Sequence, residues 1–376
     1  MDAITPFWFY FGSYIGGNKY AGTMRIASFF AGIGGMDLGF EQAGFSTVWA
    51  NENNRDAAEV YRANFPDVQL DTRSLENIDL SDIPDDLDGF IGGPPCQSWS
   101  IAGARRGEND PRGAVLWNYV AVIEAKRPSF FVLENVPGMV SSSHRKSYRL
   151  LLSRLSDSGY NIAHGILNAK NYGTAQARKR LFIVGYRSEI GGRFSTPDRS
   201  SEKTLRDVLQ GLDVADAIPV RQADRDFPES HPVTANHYLV QDHFSYIYMS
   251  RNRVPSWDGL AFTVQASCGH AQIHPSAPAM ERVEKDVFRF AEGHEPAYRR
   301  ISVREAARIQ SFPDDFLIKY DALAKGYRMV GNAVPVSLAR AVAARIGSDL
   351  ALGAASGLQQ FKTQDALFDL PLPIAI

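Results

Sequence analysis

Between Arg25 and Val184, short apolar runs alternate with segments of helical periodicity, and this alternation constrains the fold more than any other feature. Arg25–Phe30 reads as a buried strand, followed by a Gly-rich turn and a helix through Leu38, Phe40 and Ala43. Thr47–Ala50 is a second strand and Arg55–Asn64 a helix. Gly89–Ile91 is a short strand, Tyr119–Ala125 a helix and Ser129–Leu133 a strand. Tyr148–Ser158 is a helix with Leu150, Leu151 and Leu155 on one face, and Leu181–Val184 closes the series as a strand. Strands interleaved with helices predict an α/β domain with a mostly parallel sheet covered on both faces. After about Gly191 the pattern changes. Residues 191–298 are rich in Pro, His and loop signals, and helical periodicity returns only at Val303–Gln310 and Val336–Ile346. A length of 376 residues fits two domains better than one.

Composition narrows the class. The hydrophobic share of 44% and the charged share of 22% are those of a water-soluble globular chain. The two cysteines, Cys96 and Cys268, make no disulfide framework and suggest a reducing, cytoplasmic setting. No apolar run approaches the ~18 residues needed to span a bilayer, so no membrane is expected. The aromatic stretch Pro6–Gly12 lacks a basic flank and is too short for a signal. It reads as a packing arm, or as sequence upstream of a start at Met24. The eight histidines show no metal-ligand spacing, and no metal is expected.

The net charge of −2 does not by itself announce a nucleic-acid binder, but the charge is uneven. Seven acids and one base lie between Asp71 and Asp88, and five bases with no acid between Lys170 and Arg187. Arg299, Arg300, Arg304 and Arg308 gather near Glu305. Each basic cluster reads as a phosphate-facing surface or as a solvated face.

Two turns carry chemistry. In Phe30-Ala31-Gly32-Ile33-Gly34-Gly35, glycines after a strand let the backbone approach a ligand. Glu52, 20 residues after Gly32 at the end of the second strand, is placed to accept hydrogen bonds from ribose hydroxyls. Asp37 stands where a dinucleotide fingerprint has its third glycine. A nucleoside without a pyrophosphate, such as S-adenosylmethionine, therefore fits better than a nicotinamide dinucleotide. The plain alternative is a tight strand–helix turn. In the second turn, Gly92-Gly93-Pro94-Pro95-Cys96-Gln97-Ser98-Trp99-Ser100, two proline rings fix the backbone just before a thiol at a strand end. That suits a nucleophile, although a cysteine at its ordinary pKa is weak at neutral pH. It also suits a buried structural cysteine.

Taken in order, the segments resemble one family, the DNA (cytosine-5) methyltransferases. The matching stretches are Phe30–Gly35, Gly93–Gln97, Glu134-Asn135-Val136, Gln176-Ala177-Arg178-Lys179-Arg180, Arg304–Gln310 with Phe312-Pro313, and Gly331-Asn332-Ala333-Val334-Pro335. The resemblance implies a Rossmann-like S-adenosylmethionine-dependent methyltransferase domain, a smaller irregular target-recognition domain and a DNA cleft between them. It divides the chain into an N-terminal extension (1–23), a catalytic cofactor-binding domain (24–190), a target-recognition domain (191–316), a return to the catalytic domain (317–350) and a peripheral tail (351–376).

The resemblance also assigns roles. Cys96 adds to C6 of cytosine, which makes C5 nucleophilic. Glu134 hydrogen-bonds and protonates the N3 edge, and this needs a raised pKa. Arg180 donates to the cytosine O2, and Arg178 lies near the catalytic loop and the active-site carboxylate. As residues two apart on a strand, the two arginines are expected to share a facing. The cofactor set is Phe30, Ala31, Gly32, Gly34, Gly35, Glu52, Asn53, Asp71, Pro95, Val115, Asn332 and Val334. Phe30 stacks near the adenine or sulfonium, Asp71 meets the adenine amino group, and Asn332 and Val334 reach the methionine end. The partner is double-stranded DNA, bound by a monomer. The target base is flipped out at a cost of a few kcal/mol. Ser98 and Ser100 suit phosphate contacts, and Gln97 helps to fill the vacated space. Arg105 and Arg106 lie in a Gly-punctuated loop that closes over DNA. Arg251, Arg253, Gln265 and His270 are candidate base readers, and Cys268 is read as non-catalytic.

Met249–Val254 with Ser256-Trp257 and Phe262–Gln265 resembles the HaeIII-type bacterial enzymes and suggests a GGCC target; the ordered motifs with a full-sized variable region imply the modification half of a restriction–modification system with a partner endonuclease, or an orphan methylator. Other readings are methylation of tRNA cytosine by a related branch, and a non-catalytic DNA-binding relative. The intact Cys96, Glu134, Arg178 and Arg180 argue against the last.

Overall fold

The computed structural model describes residues 23–95, 111–212, 216–221, 235–241, 244 and 246–355, with side chains except at 111–114 and 353–355. The central sheet has seven strands: β1 (Arg25–Phe29), β2 (Ser46–Asn51), β3 (Gln69–Asp71), β4 (Gly89–Gly92), β5 (Phe130–Asn135), β6 (Tyr160–Asn168) and β7 (Lys179–Arg187). Their order is β3-β2-β1-β4-β5-β7-β6. All pairs up to β5 are parallel, and β7 runs antiparallel to both of its neighbours.

In β1, β4, β5 and β7 side chains alternate between the two faces, as the strand period of two requires. Ile26, Ile91, Phe130, Val132, Phe182 and Val184 enter one core with Met36, Phe40, Leu338 and Val342. Ala27, Phe29, Phe90, Phe131, Leu133, Leu181 and Ile183 enter the other with Tyr119, Ile123, Leu151 and Leu155. The first face is covered by helices α1 (Gly35–Glu41) and α8 (Val336–Ala355), the second by α3 (Pro111–Lys126) and α4 (Arg145–Asp157). Helix α2 (Arg55–Asn64) begins at Asn54, whose side chain accepts from the Ala57 amide.

Several elements go beyond the expectation, β6 and α7 among them. β6 forms a nine-residue pairing with β7. Its sequence, Tyr-Asn-Ile-Ala-His-Gly-Ile-Leu-Asn, mixes polar residues into the run because it is the edge strand of the sheet. Helix α7 (Leu323–Asn332) lies in a stretch without strong stop or start signals; its N-cap, Ala322, makes no side-chain hydrogen bond.

The later half of the chain packs into the first. Helices α5 (Leu205–Leu209), α6 (Val303–Ile309) and α7 share one core with Val60, Tyr61 and Phe65 of the α2 region. The segment 244–298 has its own small core of Tyr248, Ile273, Ala277, Met280, Ala291 and Tyr298. It carries the hairpin of β10 (Glu281–Glu284) and β11 (Val287–Arg289), while β8 (Ile218–Val220) pairs with β9 (Tyr238–Val240) nearer the large core.

The cluster from Arg299 to Arg308 is neither a phosphate-facing surface nor a solvated face. Arg304 is 1% exposed and donates to the carbonyls of Ala235, Pro313 and Phe316. Arg300, 2% exposed, lies 4.2 Å from the centroid of the Phe244 ring. Arg299 forks onto the buried Glu305 carboxylate at 2.7 and 2.8 Å, and Arg308 pairs with Asp314. Charge density in sequence cannot distinguish such interior pairs from a binding face, because burial and partners are tertiary properties.

Candidate active site

The strand order reverses at β1, whose neighbours are β2 on one side and β4 on the other. An open α/β sheet binds ligands in the crevice outside the carboxyl ends of its strands at such a point. Five of the segments singled out from the sequence open onto that edge. β1 leads into Phe30–Gly35, β2 into Glu52, β3 ends at Asp71, β4 leads into Gly93-Pro94-Pro95, and β5 ends at Glu134-Asn135. Because β7 is antiparallel, its start, Lys179-Arg180, lies at the same edge.

The first turn is held open by unusual backbone. Phe30 (φ 55°), Gly32 (φ 57°) and Gly34 (φ 86°) are left-handed. A Cβ on Gly32 would meet nothing within 4 Å, so the turn faces open space there. A Cβ on Gly35 would lie 2.6 Å from the Val334 carbonyl oxygen, so glycine is what lets the Asn332–Val334 loop close against the turn. Glu52, 9% exposed, accepts from the Gly32 amide at 2.8 Å and the Asn54 amide at 2.7 Å, one on each oxygen. Burial raises its pKa, against the two amides that lower it. Each oxygen retains a lone pair for a vicinal diol.

This donor set fits the nucleoside end of S-adenosylmethionine: an open glycine turn, a carboxylate with acceptor capacity and the partly buried Phe30 ring, edge-on to Tyr119. Val334 is buried against Gly35, and Asn332 is exposed beside it. Val115 is half-buried in α3, and Asn53 donates to the Ser74 hydroxyl. The Asp71 carboxylate is engaged by the Arg73 guanidinium and amide, which hold it below the usual carboxylate range.

The second cluster surrounds the Pro-Pro-Cys turn. Asn135 donates to the Pro94 carbonyl at 3.0 Å from a buried position and accepts from the Val136 amide, so β5 anchors the base of the turn. A Cβ on Gly93 would stand 3.1 Å from Glu134 Oε2, which places this carboxylate directly against the turn. Glu134 and Arg180, 12% and 15% exposed, pair at 3.0 Å. Burial raises the pKa of Glu134, while Arg180 and then Arg178 oppose it. Pro95 is exposed at the rim. Cys96, Gln97, Ser98, Ser100, Arg105 and Arg106 lie outside the described residues.

The two arginines divide. Arg178 precedes β7, is 1% exposed and donates to the carbonyls of Val264 (3.0 Å), Gly331 (2.6 Å) and Ala333 (3.2 Å). Burial and then the Arg180 charge lower its pKa, yet a guanidinium stays protonated at neutral pH. The shared facing expected of a strand pair does not extend to a common partner, because the chain leaves strand geometry before Lys179.

Of the proposed readers, Arg251 is exposed over the Phe262 ring at 5.2 Å, and Arg253 donates to the Ile247 carbonyl and the Ser250 hydroxyl. Gln265 and His270 are exposed and Cys268 is buried. Asn135, Gln176 and Gln310 belong to the sequence motifs, and the structure gives them buried hydrogen-bonding positions. Their signal was an amide inside an otherwise apolar or turn-forming segment.

The model of the C-5 cytosine-specific DNA methylase family matches residues 24–348. The chain is 47% identical over 328 residues to the Type II methyltransferase M.MthTI of Methanothermobacter thermautotrophicus, covering 87% of this chain and 98% of that one. It is 44% identical to M.NgoPII of Neisseria gonorrhoeae over 87% and 96% of the two chains. Among solved structures, the methyltransferase EhMeth of Entamoeba histolytica shares the fold with a TM-score of 0.62 at 18% identity, over 87% of this chain and 98% of that one. The chain belongs to the C-5 cytosine-specific DNA methylase family.

Proposed function

We propose that this enzyme methylates C5 of a flipped-out cytosine in a specific duplex sequence, with GGCC as the candidate, and that it is the modification half of a restriction–modification pair. The observation that carries the reading is the Glu134–Arg180 pair packed against Gly93 at the base of the Pro-Pro-Cys turn. The Type II names of its relatives support the restriction–modification role.

The residues divide the labour as follows. The Cys96 thiolate adds to C6, and the electron pair of the C5–C6 bond is released toward C5 with charge spread over N3 and O2. Glu134 donates its proton to N3, a task that suits a carboxyl whose pKa burial has raised. Arg180 holds Glu134 and donates toward O2, where it stabilises the developing charge. When bound, S-adenosylmethionine supplies an electrophilic methyl group for C5, and Glu52, Gly32, Phe30 and the Asn332–Val334 loop would hold it. A solvent base then takes the C5 proton, the C5–C6 double bond re-forms as the Cys96 sulfur leaves as thiolate, and the N3 proton returns to Glu134, leaving 5-methylcytosine and S-adenosylhomocysteine.

The test is to incubate plasmid DNA with the enzyme and S-adenosylmethionine, map the product by bisulfite sequencing and challenge it with a GGCC-cutting endonuclease. Duplex 5-methylcytosine at GGCC with resistance to cleavage is expected. Methylation at another site would remove the GGCC assignment, and methylation of tRNA alone would remove the DNA reading. Cys96→Ser is expected to abolish turnover while retaining part of the duplex binding.

A further inference from the structure

Three segments that are distant in sequence meet in one buried polar lattice beside the candidate active site. The first is Gln176–Arg178, which leads into Arg180. The second is Ala261–Ala266, which follows the candidate base-reading stretch. The third is Val330–Val334, which leads from α7 to the cofactor turn.

Gln176 is fully buried. Its Oε1 accepts from the Val264 amide at 2.9 Å, and its Nε2 donates to Gln310 Oε1 at 2.9 Å. Gln310, also fully buried, donates through Nε2 to the carbonyls of Val330 (2.9 Å) and Ala333 (3.2 Å). Arg178 spans the same gap from the other side, with Val264 at one end and Gly331 and Ala333 at the other. Thr263 Oγ1 donates to the Ala177 carbonyl at 3.0 Å, and Gln176 bridges to Ala261 in parallel register. There is no slack between the second and third segments: a Cβ on Gly331 would lie 2.4 Å from the Gln265 carbonyl oxygen.

Among the described residues, the Gln176 and Gln310 amides bond to one another and to the backbone of Val264, Val330 and Ala333, and to none of Gly93, Pro94 or Glu134. We infer that Gln176, Gln310 and Arg178 form a buried clamp that couples the placement of the cofactor loop at Asn332–Val334 to the placement of the recognition segment Phe262–Ala266. A buried donor or acceptor that loses its partner is penalised in full, so the lattice favours moving both segments together over moving either alone. Exposed Phe262 carries Arg251 over its ring, and Gln265 is exposed one residue beyond Val264, so a shift of this backbone moves candidate base readers. The cofactor loop closes on Gly35 through the Val334 carbonyl. Coupling of this kind is reciprocal: occupancy of the cofactor site tightens specific duplex binding, and duplex binding tightens the cofactor by the same factor.

The inference rests on the proposed methyl transfer to duplex DNA, but its test does not require turnover. Duplex affinity is measured with and without S-adenosylhomocysteine, on the duplex identified by bisulfite mapping and on the same duplex with one base pair changed. In the wild type, S-adenosylhomocysteine is expected to tighten the mapped duplex more than the altered one. In Gln176→Met/Gln310→Met, which removes both amide partners together, that preference is expected to fall by roughly 2- to 30-fold. kcat at saturation is expected to stay within about threefold, as for a loss of positioning rather than of transition-state contacts. A wild type without this linkage, or a folded double variant that retains it in full, overturns the clamp. If the double variant does not fold, Thr263→Val at the exposed edge of the same joint decides, with undiminished linkage again the overturning result. Failure of the wild type to make 5-methylcytosine would instead refute the catalytic reading.

Discussion

Glu134 is held between two opposing effects. Removal from water raises its pKa, and the guanidinium of Arg180 at 3.0 Å lowers it, with burial the larger. The protonated form is the one able to donate to a ring nitrogen, so the activity that depends on it is lost as pH rises through the Glu134 pKa. Glu134→Gln keeps the shape and removes the proton, and kcat is expected to fall by about 10²- to 10⁴-fold in a single-turnover methyl-transfer assay. A fall of less than tenfold would show that the ring is activated by another group. Asp37, which takes the place of a fingerprint glycine, serves the interior of the fold. It is fully buried, accepts from the Tyr61 hydroxyl at 2.8 Å and has its pKa pushed up to about 6 by burial. The unfolded value is about 3.9, so between these two values the folded state binds more protons and stability declines as pH rises. The penalty at neutral pH is on the order of 3 kcal/mol. Asp37→Asn retains an acceptor for Tyr61, and its melting-temperature gain over the wild type is expected to be larger at pH 7.5 than at pH 4. Equal shifts at the two pH values would contradict the buried-charge account.

At the scale of elements, α1 and α8 are locked by a close approach. Gly39 stands in the middle of α1, where alanine would ordinarily gain about 1 kcal/mol of helix propensity. A Cβ there would lie 2.5 Å from the Ala339 Cβ and 2.6 Å from the Val336 carbonyl oxygen. The backbone carbonyl cannot retreat without moving α8, so overpacking by about 1–3 kcal/mol outweighs the propensity gain. Gly39→Ala is therefore expected to lower the melting temperature by several degrees, and an unchanged or raised value would mean that the two helices have room to separate. Most elements of the first half were legible because each carries its own periodicity. Arg55–Asn64 was read with the bounds it has in the structure, since Asn54 caps one end and Phe65-Pro66 closes the other. β6 was not legible, because its partner β7 supplies the ladder on which its strand character depends.

Across the whole molecule, residues far apart in the chain converge because the sheet reverses its order at β1 and carries its functional loops at one edge. The ordered motifs identified the family and the chemistry from sequence alone. A thiol after two prolines, a carboxyl after a strand and a glycine turn before a helix are local patterns, each with a plain structural alternative, and their order along the chain gives them their meaning. What those patterns could not specify is who touches whom. Arg178 and Arg180 belong to one short motif, yet one reaches carbonyls near residues 264 and 331–333 and the other pairs with Glu134. Arg299, Arg300, Arg304 and Arg308 look like a basic surface in sequence; in space Arg300 and Arg304 are buried, Arg299 pairs with buried Glu305, and Arg308 pairs with Asp314 nearer the surface. The sequence by itself determined the α/β class and the family, and it nominated the cofactor turn and the reacting groups proposed above, because strand and turn chemistry are encoded within a few residues. Only the tertiary structure decided which charges are buried, which amides bridge the 261–266 segment to the 330–334 loop, and that burial raises the Glu134 pKa against the pull of Arg180. Desolvation and partner geometry are set by atoms contributed from every part of the chain.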